Sequence, residues 1–304
     1  MPSSRLTPRR FELCLAFAVL VTLAAVAPPA GAACRVTVSI EPLAWLVERL
    51  IGDDGQVCTA LAPGESPATY DPTPRRLAEL ARTDLYLGVG VPMERVLLPH
   101  LRRDRPGLAI HDLAEGLEKL AIGGHSHDHG DGHDHAHEFD PHVWLSPRLM
   151  GRMAESAARI LAARHPELGE ALPTRAAALQ SDLADLDAEL RAILSPAAGR
   201  TLVVFHPAFG YLARDYGLVQ RAIEKDGLPP SPRRLAEVLA EIRAQGLRAI
   251  FVQPQEASAQ LQALARAEGL QVLELDPLAG DYTENMRRMA EVIAGALAPG
   301  AETP

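Results

Sequence analysis

The stretch Pro173–Ser195, PTRAAALQSDLADLDAELRAILS, decides how the rest of the chain is to be read. Leu179, Leu183, Leu186, Leu190 and Leu194 recur every three or four residues with charges between them, the spacing of one apolar stripe on a helix. Pro173 suits a first helical turn, and Pro196 stops the helix. Such a helix has about six turns and is on the order of 34 Å long. It is a stiff strut and not a flexible linker.

The same alternation appears on both sides of the strut. Strand-like apolar runs occupy 35–40, 56–61 and 84–90 before it, and 201–206, 249–254 and 270–276 after it. Amphipathic segments at 42–51, 74–82, 147–164, 232–245 and 257–268 separate or flank them. Strand and helix in alternation predict parallel sheets with helices on both faces. The expected fold is α/β, with two Rossmann-like lobes of parallel strands joined by a long rigid helix. The N-terminal lobe is expected over 33–172, the linking helix over 173–195 and the C-terminal lobe over 196–304. Ligands of open α/β sheets lie beyond the carboxyl ends of the strands, so two such lobes place a site in the cleft between them.

The first 32 residues read as a secretory signal. Arg5, Arg9 and Arg10 precede the apolar run LCLAFAVLVTLAAVA (13–27), and Ala30-Gly31-Ala32 supplies small residues for cleavage. The apolar run is too short for a membrane span. Gly31 stands where a lipoprotein signal has an aliphatic residue, so soluble export to the periplasm is favoured over a lipid anchor on Cys34. Cys14 then leaves with the signal. Cys34 and Cys58 remain, a candidate disulfide in an oxidising compartment, beside two short strand-like runs. Two cysteines exclude a cysteine-based zinc site. The formal net charge of -9 argues against nucleic acid or anionic lipid as partner and is compatible with attracting cations. The chain is expected to act as a monomer.

Metal chemistry is signalled in mid-chain. The tract 123–138 carries His125, His127, His129, His133, His135 and His137 among aspartates and glycines. It is too polar to fold alone, yet it presents many imidazoles to borderline metals. DPHVWLSP (140–147) follows it, with His142 between a proline and an apolar pair. In the second half, His206 comes directly after the strand-like run at 201, and Asp281 lies in a glycine-containing turn after the run at 270. Any one of these alone is more often a hydrogen-bonded core or surface residue. Two imidazoles and a carboxylate at strand ends, beside a histidine tract, form a zinc- or manganese-type ligand set.

Four motifs carry a resemblance. PGESPATYDPTP (63–74), DPHVWLSP (140–147), VFHPAFGYLARDYGL (204–218) and LDPLAGDYTENM (275–286) resemble, in order, those of the zinc/manganese branch of ABC-transporter solute-binding proteins. The resemblance implies two lobes joined by a rigid helix, one metal in the cleft, and delivery to the membrane permease of an ABC importer. By position it makes His142 and His206 imidazole ligands and Asp281 the carboxylate, with 125–137 an accessory metal loop. One position departs from the pattern: the first motif resembles P-G-x-x-P-H-x-Y, and its histidine is Ala68 here. Water, Glu65, Tyr70 or a histidine of the tract could take that place.

The expected function is capture of Zn2+ for import, with Mn2+ second because imidazoles favour borderline ions. A periplasmic zinc buffer or chaperone, a manganese-binding member and a zinc hydrolase are the alternatives. Nothing supports the last: there is no His-Glu-x-x-His helix and no recognisable nucleophile elbow, although Glu41 and Glu224 are available as bases.

Overall fold

The computed structural model describes residues 36–121, 139–224 and 230–298. The expected signal (1–32), Cys34 and the histidine tract at 125–137 lie outside the described residues. Ala33–Pro304 clusters as one compact unit. Within it are two four-stranded sheets, and every strand pairing between named strands is parallel.

The first sheet has the order β2-β1-β3-β4, built from β1 (Val36–Val38), β2 (Val57–Thr59), β3 (Leu85–Gly88) and β4 (Ala109–Asp112). The second repeats that order with β5 (Thr201–Val204), β6 (Val219–Ala222), β7 (Ala249–Val252) and β8 (Gln271–Glu274), as β6-β5-β7-β8. The helices are α1 (Glu41–Ile51), α2 (Pro74–Leu80), α3 (Pro92–Asp104), α4 (Pro147–Arg164), α5 (Leu172–Leu194), α6 (Gly210–Tyr216), α7 (Pro232–Ala244), α8 (Ala259–Ala267) and α9 (Tyr282–Leu297). This is the two-lobed α/β architecture expected from the alternation of apolar runs and amphipathic segments.

Two strands and two helices were not marked by apolar runs or amphipathic spacing in the sequence. β4 and β6 are edge strands, only partly buried, with Val219 more than half exposed. An edge strand packed on one side lacks the continuous apolar run that marks a buried strand. Helix α3 carries Pro99 inside it, and α6 is only seven residues long.

Helix α5 buries Leu179, Leu183, Leu186, Leu190 and Leu194, the stripe read from the sequence, with Leu172 at its start. It packs on α1 and α4 and also on α6 and α9. Its two ends bond to different sheets' helices. Near the N-terminal end, Arg175 donates to the Ile51 carbonyl and pairs with Asp54 at 2.8 Å, and Gln180 donates to the Gly151 carbonyl. Near the C-terminal end, Asp187 accepts from the Tyr216 hydroxyl and Glu189 pairs with Arg287 at 2.7 Å. Burying one face while anchoring both ends makes α5 a brace between the two halves.

Alternation along the second sheet divides its side chains between two cores. Leu202, Val204, Ala249 and Phe251 join the large core that contains the first sheet and α5. Val203, Ile250 and Val252, one residue out of phase, join a smaller core with Val238, Leu239, Ile242 and Leu261 of α7 and α8. The side-chain period of two in a strand produces this division. No helix among the described residues is long and apolar enough to cross a membrane.

Candidate metal centre

A cavity of about 260 Å³ opens beyond the carboxyl ends of the strands of both sheets. Ala68 reaches it from the loop after β2, and Val91 and Pro92 from the turn after β3. His206 arrives after β5, Gln253 and Glu256 after β7, and Leu278 after β8. His142 and Trp144 come from the segment that leads into α4.

That segment is held from both sides. Trp144 Nε1 donates to the Pro277 carbonyl at 2.7 Å, and the Tyr282 hydroxyl donates to the Trp144 carbonyl at 2.7 Å. The Tyr211 hydroxyl accepts from the Leu120 backbone N–H and donates to the Asp140 carbonyl, each at 2.9 Å. Ser146 caps α4 by accepting from Leu149 N–H while its hydroxyl donates to Asp215. Helix α6 begins at Gly210, where a Cβ would lie 2.9 Å from Asp140 Oδ2, so glycine permits the close approach of that carboxylate. Tyr211 is a buried tie between the two halves of the molecule.

The two imidazoles meet. The ring centres of His142 and His206 are 5.4 Å apart, with their planes at 73°. Two imidazoles on one tetrahedral zinc, with Zn–N of about 2.0–2.1 Å, hold their centres about 5.2 Å apart. Each ring is oriented by a carboxylate on Nδ1, which leaves Nε2 for an ion. For His142 the partner is Asp140 Oδ1 at 2.6 Å, and the same oxygen accepts from the His142 backbone N–H at 2.9 Å. Asp140 therefore both starts the turn and orients the ring. For His206 the partner is Glu224 Oε2 at 3.0 Å, a buried carboxylate just after β6. Burial is the largest influence on His206 and works to lower its pKa. The Glu224 hydrogen bond and the charges of Glu224, Glu256 and Asp140 outweigh it, and the result is raised.

Asp281, expected as the carboxylate, is not among the residues that line this cavity. It precedes α9, is half exposed, and accepts from Arg288 Nη1 at 2.8 Å. The Arg288 hydrogen bond holds its carboxyl below the usual range. The carboxylate that does line the cavity is Glu256, whose Oε1 lies 3.9 Å from His206 Nδ1. Burial, acting first, pushes the Glu256 carboxyl up to about 7 against the opposing charge of His206. His206, Glu224 and Glu256 group closely enough to hold a cation. Glu256 sits in a short 3-10 turn directly after β7. The strand-end rule that singled out His206 would have found it. The sequence reading left Gln255 and Glu256 in the gap between a strand and a helix.

Among the substitutes expected at Ala68, Glu65 folds back to accept from Ala62 N–H at 2.9 Å. It lines a neighbouring cavity with Glu41, Gln255 and Asp276. Tyr70 is buried, with its hydroxyl directed to the Ala60 carbonyl at 3.4 Å. Neither reaches the cavity between the imidazoles.

Comparison with known proteins places the chain in a family. The zinc-binding protein AdcA of Streptococcus pyogenes serotype M3 is 27% identical over 286 residues, covering 85% of this chain and 55% of AdcA. The zinc-binding lipoprotein AdcA of Streptococcus pneumoniae strain R6 is 30% identical over 251 residues, covering 80% of this chain and 50% of that protein. The chain thus spans about half the length of these curated relatives. Among solved structures, a zinc-bound ZnuA lacking residues 138–173 of its own numbering superposes with a TM-score of 0.79 at 33% identity. That match covers 88% of this chain and 98% of the other. The family described as zinc-uptake complex component A, periplasmic (ZnuA), matches residues 36–296, and the chain belongs to it.

Proposed function

We propose that this chain is an exported solute-binding protein that captures one Zn2+ in the cleft between its lobes and delivers it to the permease of an ABC-type importer. The observation that carries the reading is the imidazole pair of His142 and His206, at a separation suited to a shared ion and with each Nδ1 on a carboxylate. Such pairing raises ligand basicity and presents Nε2. The zinc-binding names of the AdcA relatives and the zinc-bound ZnuA neighbour support the same cargo. Two imidazoles favour zinc over manganese. The role is capture and not catalysis: ligands from both halves fix the ion and the permease reads the loaded state.

Residues 1–32 direct export to the periplasm in this reading, with residues 33–172 and 196–304 as lobes and 173–195 as the link. Cys58 forms a disulfide in this reading. Pairing with Cys34 fits an oxidising compartment. The tract containing His125, His127, His129, His133, His135 and His137 serves as an accessory reservoir close to His142 in sequence. Zinc titration against a competing chelator tests the cleft, with His142→Ala and His206→Ala as controls. The tightest site should disappear in both variants; a site of unchanged affinity in both removes the proposal.

A further inference from the structure

We infer that Glu256 is a direct ligand of the cleft ion, so that the second lobe makes good the histidine replaced by Ala68 in the first. The inference rests on the zinc-capture reading and adds to it a donor that the motif resemblance does not contain.

Three observations support it. Glu256 lines the same cavity as His142, His206 and Ala68. Its Oε1 lies 3.9 Å from His206 Nδ1, in the turn directly after β7. Its Oε2 is buried and has no hydrogen-bond partner among the described residues. Buried carboxylate oxygens are nearly always satisfied, and an open one on a side chain that shares a cavity with two imidazoles calls for a cation.

The other nearby carboxylates are already engaged. Asp140 and Glu224 orient the imidazoles, Glu65 accepts from Ala62 N–H, and Asp281 is paired with Arg288. Asp276 accepts from the Leu278 backbone N–H at 2.9 Å and lies in the neighbouring cavity. Glu256 combines a place in the cavity with a buried oxygen that has no hydrogen-bond partner among the described residues. A carboxylate in place of a neutral imidazole also removes one positive charge from the loaded site. That makes the ligand set harder, and discrimination against manganese should be weaker than three imidazoles would give.

The test uses the full chain, with the His142→Ala/His206→Ala double variant as the blank for metal held outside the cleft. Zinc affinity is measured by chelator competition. Coordination is read from the visible ligand-field spectrum with one equivalent of Co2+. Glu256→Gln should lower cleft affinity by about a hundredfold and change the cobalt spectrum, while the near-UV circular dichroism of the metal-free protein stays as in the parent. Unchanged affinity overturns the assignment. A fall in affinity with an unchanged spectrum also overturns it, because Glu256 would then act through His206 and not on the ion. Should Glu256→Gln fail to fold, Glu256→Asp keeps the charge but shortens the reach, and the same two readings apply. If the double variant binds zinc as tightly as the parent, the cleft reading itself fails, and that outcome is distinct from the failure of Glu256.

Discussion

The two halves of the cleft solve one problem by different routes. On the first-lobe side, Asp140 orients His142 from two residues away and bonds its ring and its backbone together. On the second-lobe side, Glu224 orients His206 from eighteen residues away, across the β5–β6 connection. The first half has alanine where its family pattern has histidine, while the second brings an additional carboxylate, Glu256, to the same cavity. A local device depends on one short turn. A tertiary device depends on the second sheet holding its register.

The largest effect expected on this comparison comes from removing either imidazole. His142→Ala and His206→Ala should each lower zinc affinity by more than about a hundredfold in competition titration, since each removes a ligand supplied by one half. An effect confined to one of the two would show that the halves do not share an ion.

Next come the orienting carboxylates. Asp140→Asn and Glu224→Gln should each cost about 10–100-fold in affinity, as the loss of a hydrogen-bonding partner behind a metal-bound histidine does. Asp140→Asn should be the more severe, because that residue also bonds the His142 N–H and sits against Gly210. Isothermal titration on both variants ranks them, and the reverse order would make the tertiary device the more important one.

The pH response should be smaller and asymmetric. A raised pKa at His206 means that its imidazolium persists to higher pH, and a protonated imidazole cannot bind metal. As pH falls, competition by protons should therefore begin above the ordinary histidine value of about 6.5. Glu224→Gln removes a hydrogen bond and a charge that hold the proton, so it should move the onset to lower pH while weakening the site at pH 8. Affinity that is flat between pH 8 and 5 would exclude histidine ligation.

The smallest effect should be a gain. Ala68→His restores the histidine of the family pattern at a position that already lines the cavity. With Glu256 in place, the improvement in zinc affinity should be no more than about tenfold. A much larger gain would indicate that the second half does not compensate for the first.

Much of this was legible in the residues. The leucine stripe of α5 and the apolar runs of β1, β3, β5 and β7 announce themselves because a buried helix face and a doubly covered strand need long apolar patterns. The edge strands β4 and β6 did not, because one partner and partial exposure demand little of their side chains. His142 and His206 could be singled out because each lies in a recognisable motif beside an element, and their rings stand 5.4 Å apart.

The carboxylates divide differently. Asp140 could be assigned from its neighbour alone, since two residues of separation bring its oxygen to the ring by local geometry. Glu224 and Asp281 could not: one is buried onto His206 and the other turned outward to Arg288, although the sequence presents both as acids near strand ends. Glu256 reaches the cavity only because β7 lies beside β5 in the second sheet, which brings the turn after one strand to the histidine after the other. The sequence alone thus determined the linking helix, the inner strands and the alanine at position 68, because period and local spacing act within a few residues. That Glu256 shares a cavity with the imidazoles was decided by strand order, a long-range property that no local pattern encodes.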